Sequence, residues 1–120
     1  MNSSVLKIRK NTAICERQIE SQCSSGIKCL MCTMLASSRG GINRIKIISK
    51  LRETPLNLYK LSRELDLQYK AVQHHILILE KNNLIISSDN RYRKMYFISP
   101  LLESNMIVFD EISLKMRHYL

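Results

Sequence analysis

A change in the spacing of apolar residues constrains the fold of this chain most. From Ile42 to Leu79 apolar residues recur every three or four positions, which is the period of an amphipathic helix. From Leu84 to Ile98 the apolar runs are short, β-branched and aromatic, which is typical of strands. The pattern therefore predicts consecutive helices that lead directly into a hairpin.

Three helices are predicted in the first part of this pattern. The first should end near Thr54, because the residue before Pro55 is pushed out of the helical region. Asn57 is the predicted N-cap of the second helix, which should close around Asp66, and the third should cover residues 69–82. The apolar positions are Ile42, Ile45, Ile48 and Leu51 in the first helix, Leu58, Leu61 and Leu65 in the second, and Val72, Ile76 and Leu79 in the third.

A hairpin and a last helix complete the pattern. Residues 84–87 and 95–99 are the predicted strands, and the polar, basic stretch between them is the turn. That stretch lacks the favoured Asn-Gly or Asp-Gly pair, so its loop should be longer than two residues. Pro100 should begin one helix that continues close to the C-terminus. Its apolar positions are Leu101, Phe109, Ile112 and Met116, together with either Met106 or Leu102.

This order of elements predicts a mainly α-helical fold with a small β-hairpin. Two helices joined by a turn of about three to four residues form a helix-turn-helix, and a basic hairpin directly after it forms a wing. The predicted fold is therefore a winged helix-turn-helix with a three-helix core, a wing and a C-terminal dimerisation helix. The small residues at 36–41 divide it into a Cys-containing leader, 1–38, at least partly helical, and the winged domain, 39–120.

The charge of the chain favours a polyanionic partner. Lys and Arg number 19 against 10 Asp and Glu, which gives a net charge of +9. Nucleic acid is the first candidate and an anionic membrane surface the second. No stretch approaches the roughly 20 apolar residues that cross a bilayer, and the N-terminus lacks the apolar core of a secretory signal. We therefore expect a cytoplasmic protein without a membrane partner.

The outward face of the third helix is the predicted surface for reading bases. Gln73 could pair bidentately with adenine, while Lys70 and His74 could meet a base or a phosphate. The candidate DNA-contact residues on this helix are Gln68, Tyr69, Lys70, Gln73 and His74, with Leu77 as a further outward position. His75 lies at the edge of the buried stripe and is interpreted as a packed or phosphate-facing structural histidine.

The turn of the hairpin carries a cluster of basic residues, Arg91, Arg93 and Lys94. Such a cluster is usual in a solvated turn, but it is also typical of a wing that holds phosphates or enters the minor groove. The adjacent helix-turn-helix favours the second interpretation.

Residues 39–116 resemble the archaeal branch of the ArsR-like winged helix family. The resemblance is carried by "SRGGINRIKIISKL", "PLNLYKLSRELDLQYKAVQHHILILEKNNLI" and "RYRKMYFIS", and above all by V-x-H-H-I-x-x-L-E-K-N-x-L-I at 72–85. It implies a homodimer on a two-fold related site in double-stranded DNA, with dimer contacts from the first and last helices. Metal sensors of this kind often carry a Cys pair in the first helix of the helix-turn-helix, or Asp and His ligands on the last helix. This sequence has no Cys between Leu58 and Leu65, and its last helix offers Asp110, Glu111 and His118.

The leader holds four cysteines, Cys15, Cys23, Cys29 and Cys32. In a cytoplasmic protein they should be reduced thiols or metal ligands. Cys29 and Cys32 could share one face of a helix and, with the other two, bind zinc or an iron–sulfur cluster. The same segment also fits an apolar packing or dimerisation helix, in which Cys behaves as a small hydrophobe, and a redox switch is the third interpretation.

Together these features predict a sequence-specific, double-stranded DNA-binding transcription regulator that acts as a homodimer, and they identify no small-molecule substrate. The alternative is a protein-interaction winged-helix module of the transcription or replication machinery. Acidic residues on the outward face would favour that alternative, but none occurs between Gln68 and Leu79. The sequence has no Gly-rich phosphate loop and no flanked nucleophile, so we expect no enzymatic activity.

Overall fold

The computed structural model of the protein describes residues 26–37, 39–88 and 93–117. Within them lie six α-helices, one π-helix and one two-stranded sheet. The elements are α1 (Gly26–Cys32), the π-helix (Thr33–Ser37), α2 (Gly41–Glu53), α3 (Leu58–Leu65), α4 (Tyr69–Lys81), β1 (Ile85–Ser87), β2 (Tyr96–Ile98), α5 (Pro100–Glu103) and α6 (Met106–Lys115). This order confirms the predicted winged helix-turn-helix. Among the described helices, none has the length and apolar character needed to span a membrane.

The turn between α3 and α4 forms as its residues predict. The Asn57 side chain accepts a hydrogen bond of 2.8 Å from the Lys60 amide, which caps the start of α3. Asp66 ends α3 in the left-handed conformation, at φ 55° and ψ 48°, and the Leu67 amide closes on the Ser62 carbonyl at 3.0 Å. The two helices are thereby joined by residues 66–68, the short turn of a helix-turn-helix.

Hydrogen bonds of Ser99 connect the end of α4 to the start of α5. Asn83 has a positive φ of 59°, so the predicted stop after α4 is confirmed. The buried hydroxyl of Ser99 donates to the Asn83 carbonyl at 2.8 Å and accepts from the Leu102 amide at 3.1 Å. One serine therefore caps α5 and fixes the chain that leaves α4.

The wing strands pair antiparallel, and Ile86 stands opposite Phe97. Ser88 and Met95 continue the ladder with a backbone bond of 2.9 Å, so the loop is longer than two residues, as predicted. The sequence did not predict a further bridge, in which the Tyr96 amide donates to the Leu56 carbonyl at 2.9 Å. This bridge ties the base of the wing to the segment that enters α3.

The chain divides into two compact units. The body unit is Asn43–Met106, and the flanking unit combines Met1–Ile42 with Ile107–Leu120. The body unit buries Ile45, Ile47, Ile48, Leu51, Leu56, Leu61, Val72, Ile76, Leu79, Leu84, Ile85, Tyr96 and Leu102. The described part of the flanking unit buries Met31, Cys32, Leu35, Ala36, Val108, Phe109, Ile112 and Met116. The division into a leader, 1–38, and a winged domain, 39–120, stays a prediction.

The predicted single C-terminal helix is interrupted between α5 and α6. The Ser104 hydroxyl donates to the Pro100 carbonyl at 2.8 Å, and the side-chain amide of Asn105 donates to the Leu101 carbonyl at 2.9 Å. Side chains that bond to nearby carbonyls in this way compete with helix continuation. Leu102, rather than Leu101, is the buried residue of α5.

The start of α2 requires a glycine. A Cβ atom at Gly41 would collide with the carbonyl group of Leu35, whose carbon atom would lie only 2.7 Å away. At Gly26, by contrast, a Cβ atom would meet nothing within 4 Å. The absence of a side chain at Gly41 therefore allows the backbone there to pass close to the backbone of Leu35 within the flanking unit.

Candidate nucleic-acid interface

The two faces of α4 separate as the sequence predicts. Val72, Ile76 and Leu79 are at most 1% exposed and belong to the core of the body unit. The opposite face is exposed along the whole helix. It carries Gln68 at the N-cap, Tyr69, Lys70, Gln73, His74 and Leu77. All five candidate contact residues of this helix are therefore accessible on one side of it.

His75 belongs to the buried face, as its packed interpretation required. It is 7% exposed, and its Nδ1 atom accepts a hydrogen bond of 3.2 Å from Nε of Arg44, which is itself 6% exposed. Arg44 lies on α2, so this bond links the first helix of the body unit to α4. An acceptor at Nδ1 places the proton of the neutral imidazole on Nε2.

The environment of His75 favours its neutral form. Burial lowers the pKa of His75, and the positive charges of Arg44 and His74 lower it further. Burial also lowers the pKa of Arg44. A guanidinium remains charged at any ordinary pH, so the neutral histidine serves as its acceptor inside the body unit.

A groove of about 310 Å³ lies beside the exposed face of α4. It brings together three parts of the body unit, namely the start of α3, the start of α4 and the base of the wing. The lining residues are Asn57, Leu58, Tyr59, Tyr69, Arg93, Lys94 and Tyr96. Two of the predicted wing contacts, Arg93 and Lys94, therefore meet Tyr69 of α4 in one groove. The third, Arg91, lies outside the described residues.

The groove combines basic and neutral hydrogen-bonding groups. Arg93 and Lys94 are exposed at one side. Burial, with smaller effects of Glu80 and Tyr69, raises the pKa of Tyr96, so its phenol is neutral at ordinary pH. Cations beside neutral hydroxyl and amide donors are the groups that bind phosphate oxygens.

Helix α3 also contributes to this surface, which was not predicted from the sequence. Tyr59 is 58% exposed and accepts a hydrogen bond of 2.9 Å from Nη1 of Arg63, whose guanidinium carbon lies 5.6 Å from the centre of the tyrosine ring. The two residues are one helical turn apart, at spacing four, on the side of α3 away from Leu61. The spacing of four between a tyrosine and an arginine could have indicated this pair in the sequence. The candidate interface therefore includes Tyr59 and Arg63.

The cysteines of the leader are only partly within the described residues. Cys15 and Cys23 lie outside them, so the four-sulfur metal site stays a prediction. Cys32 is buried, consistent with the packing interpretation, and Cys29 is disulfide-bonded, which differs from the expected reduced thiol. Among residues 26–37, 39–88 and 93–117, no group of three or more His, Cys, Asp or Glu side chains could hold a metal ion.

Comparison with known proteins agrees with this geometry. Residues 43–87 match the family described as bacterial regulatory protein, arsR family. The matched segment runs from α2 through α3 and α4 to β1. No curated protein matches the sequence significantly.

Solved structures share the fold at low sequence identity. Reduced HlyU from Vibrio cholerae is 20% identical with a TM-score of 0.55, and the match covers 86% of this chain and 97% of HlyU. HlyU from Vibrio vulnificus, a transcriptional regulator, is 17% identical with a TM-score of 0.55, covering 87% of this chain and 97% of the other. A probable transcriptional regulator from Pseudomonas aeruginosa is 16% identical with a TM-score of 0.53, covering 84% and 79%.

The family match and the fold agree on the same residues. The matched segment contains the turn capped by Asn57 and Asp66 and the whole exposed face of α4. The archaeal branch named in the sequence analysis stays a prediction. Residues 43–87 thus carry a helix-turn-helix that matches the DNA-binding regulators of the arsR family, in a chain that has the winged helix-turn-helix fold.

Proposed function

We propose that the protein acts as a homodimer on a two-fold related operator, with α4 in the major groove and the wing on the DNA backbone or in the minor groove. The observation that supports this assignment is the uninterrupted exposed face of α4, which carries no carboxylate from Gln68 to Leu79. The groove beside it adds Arg93 and Lys94 at its edge. In this proposal Gln73 contacts bases, while the groove residues bind phosphates.

Two exposed aliphatic side chains on α6 support the homodimer. Ile107 is 77% exposed and Leu114 is 60% exposed, and their spacing of seven places them on one face of the helix, with the exposed Asp110 and Glu111 between them. Leaving two large aliphatic side chains in water is unfavourable, and a second copy of α6 related by a two-fold axis could cover them with its own Ile107 and Leu114.

Sedimentation analysis tests the dimer directly. The wild-type chain should sediment as a dimer, and the pair of substitutions Ile107→Glu and Leu114→Glu should shift it to a monomer and weaken operator binding. The matched control is Glu111→Gln, an exposed position between the two on the same face, which removes a charge instead of adding one and should leave the dimer intact. A double variant that remains dimeric would show that α6 does not form the interface.

DNA affinity measured against salt concentration tests the proposed interface. Log affinity should fall steeply with log salt, by about 0.9 for each phosphate that the protein neutralises. Arg93→Ala should weaken binding to all duplexes alike and reduce that slope by about 1. An affinity that does not change with salt, or an Arg93→Ala variant with the wild-type slope, would contradict the assignment.

The same assay addresses the protein-interaction alternative. An excess of an acidic competitor protein should leave operator binding nearly unchanged if the exposed face of α4 binds DNA.

The protein is further proposed to act by binding alone, without catalysis, and to work in the cytoplasm where its DNA target lies.

Redox modulation through the cysteines is the second part of the proposal. It is supported by the disulfide at Cys29, because disulfides in a cytoplasmic protein are usually transient or regulatory. Operator affinity should therefore differ between the oxidised protein and the protein treated with dithiothreitol, and the Cys29→Ser variant should lose that difference. Zinc or iron found by elemental analysis of anaerobically purified protein would favour the metal interpretation instead.

A further inference from the structure

We propose that Leu77 recognises the 5-methyl group of a thymine, which makes it a specificity-determining residue of the recognition helix. The inference rests on the proposed function, since it assumes that the exposed face of α4 enters the major groove. It extends that function by naming the chemistry of the preferred operator, which should carry an A·T pair opposite the middle of the helix.

Leu77 lies near the midline of the exposed face around the helix axis and is the last of the exposed residues named above along the helix. It lies four residues after Gln73 and eight after Tyr69, and side chains at these spacings form one stripe along a helix. At 100° per residue, Leu77 points between Gln73 and Lys70 around the helix axis. The buried stripe of Val72, Ile76 and Leu79 lies on the other side.

The packing of the body unit does not explain why Leu77 is exposed. It is 54% exposed, whereas the leucine two residues later, Leu79, is fully buried. Along α4, which the structure describes completely, Leu77 is the one exposed aliphatic side chain. Its neighbours on the exposed face are polar or aromatic, so the leucine supplies a chemical property that the rest of this face lacks.

The major groove offers one apolar group to such a side chain. The methyl group of thymine is the apolar feature that distinguishes the base edges, whereas the other major-groove positions are donors or acceptors. Four residues of helix advance about 6 Å, which is close to two base-pair steps, so Gln73 and Leu77 can reach different pairs. Gln73 suits adenine and Leu77 suits a thymine methyl, and both preferences point to A·T pairs.

The test removes single methyl groups from DNA. The full-length protein first selects its preferred duplex from a randomised library, and each thymine of that duplex is then replaced in turn by uracil, which lacks only the 5-methyl group. Affinities for the whole series are measured with the wild type, with Leu77→Ala, and with the control Leu101→Ala, which removes a leucine that is 37% exposed on α5.

The expected result is a coupling between one methyl group and one side chain. At one position of each half-site, uracil should weaken wild-type binding about three- to fivefold, the effect of burying about one methyl group. Leu77→Ala should bind thymine and uracil equally at that position, and Leu101→Ala should keep the wild-type penalty. A double-mutant comparison of this kind isolates the pairwise contact from general effects of uracil on the duplex.

Two results would overturn the inference. If the wild type showed no uracil penalty, or if Leu77→Ala kept every penalty of the wild type, Leu77 would not recognise a thymine methyl, although DNA binding itself would stand. If the wild type enriched no duplex, the proposed function would fail and the inference would fail with it. Unchanged thermal stability of Leu77→Ala would show that the variant is folded in either case.

Discussion

The two faces of α4 obey different constraints although they alternate along one helix of 13 residues. On the inner face, Ile76 and its neighbours are enclosed by the body unit, and close packing leaves little freedom in their size or polarity. On the outer face, Gln73 and Leu77 are exposed, so core packing does not determine their identity. The inner face therefore positions the helix, and the outer face is available for recognition.

This difference makes the two faces separable by experiment. A substitution on the inner face should change the free energy of unfolding, and a substitution on the outer face should change DNA binding at constant stability. Two residues are expected to be less clearly separable. His75 on α4 and Asn57 at the start of α3 each have a structural partner close to the candidate interface.

Ile76→Ala should give the largest effect. The side chain is 1% exposed, and removing it leaves a cavity in the body unit. The free energy of unfolding should fall by about 2–5 kcal/mol, measured by urea denaturation. Leu77→Ala, the adjacent exposed position, is the matched control and should cost less than about 0.5 kcal/mol. Equal losses from the two variants would break the distinction between the faces.

Gln73→Ala should show the reverse behaviour. Its urea midpoint should equal that of the wild type, whereas discrimination between the preferred operator and variants at one A·T pair should fall by about 1–3 kcal/mol. Competition binding with single-base operator variants provides the measurement. If discrimination survived at every position, Gln73 would not be the base-contacting residue.

Asn57→Ala should affect both properties, since this residue caps α3 and lines the groove. Loss of the cap should lower the free energy of unfolding by about 1 kcal/mol. Asn57→Ser keeps an acceptor for the Lys60 amide and should recover most of that stability. Failure of serine to recover stability would mean that the cap is not the stabilising contact.

His75 should make the smallest contribution, visible as pH dependence. Its pKa in the folded protein lies below the ordinary value of 6.5, so the unfolded chain binds the proton first as the pH falls. Stability should therefore be unaffected above about pH 7 and decline below pH 6.5, by less than about 1 kcal/mol between pH 6.5 and 5.5. His75→Gln should flatten this decline. A decline that persists in His75→Gln would assign it to other groups.

The sequence predicted the helix-turn-helix well because its determinants are local. The cap at Asn57, the stop at Asp66 and the buried stripe that includes Val72 all act within one or two turns of chain. The predicted site on α4 followed from the same periodicity. The burial of His75 was also expected, but its bond to Arg44 was not, since 31 residues separate the two.

Elements that depend on distant or competing contacts were missed. The bridge from Leu56 to Tyr96 joins residues 40 positions apart, and nothing in either local sequence indicates it. The break between α5 and α6 depends on Ser104 and Asn105, whose side chains bond to carbonyls that a continuous helix would use. The groove that unites Tyr59 with Arg93 exists only once the wing has folded beside α3.

The glycine at the start of α2 has a consequence for how the sequence can vary. Because a Cβ atom at Gly41 would collide with the carbonyl group of Leu35, every substitution there must displace backbone, whereas Gly26 has open space around it. In a library that samples all amino acids at both positions, selection for a folded repressor or activator should retain glycine at 41 and accept diversity at 26. Tolerance of mutation in this chain thus differs between two glycines that look equivalent in the sequence.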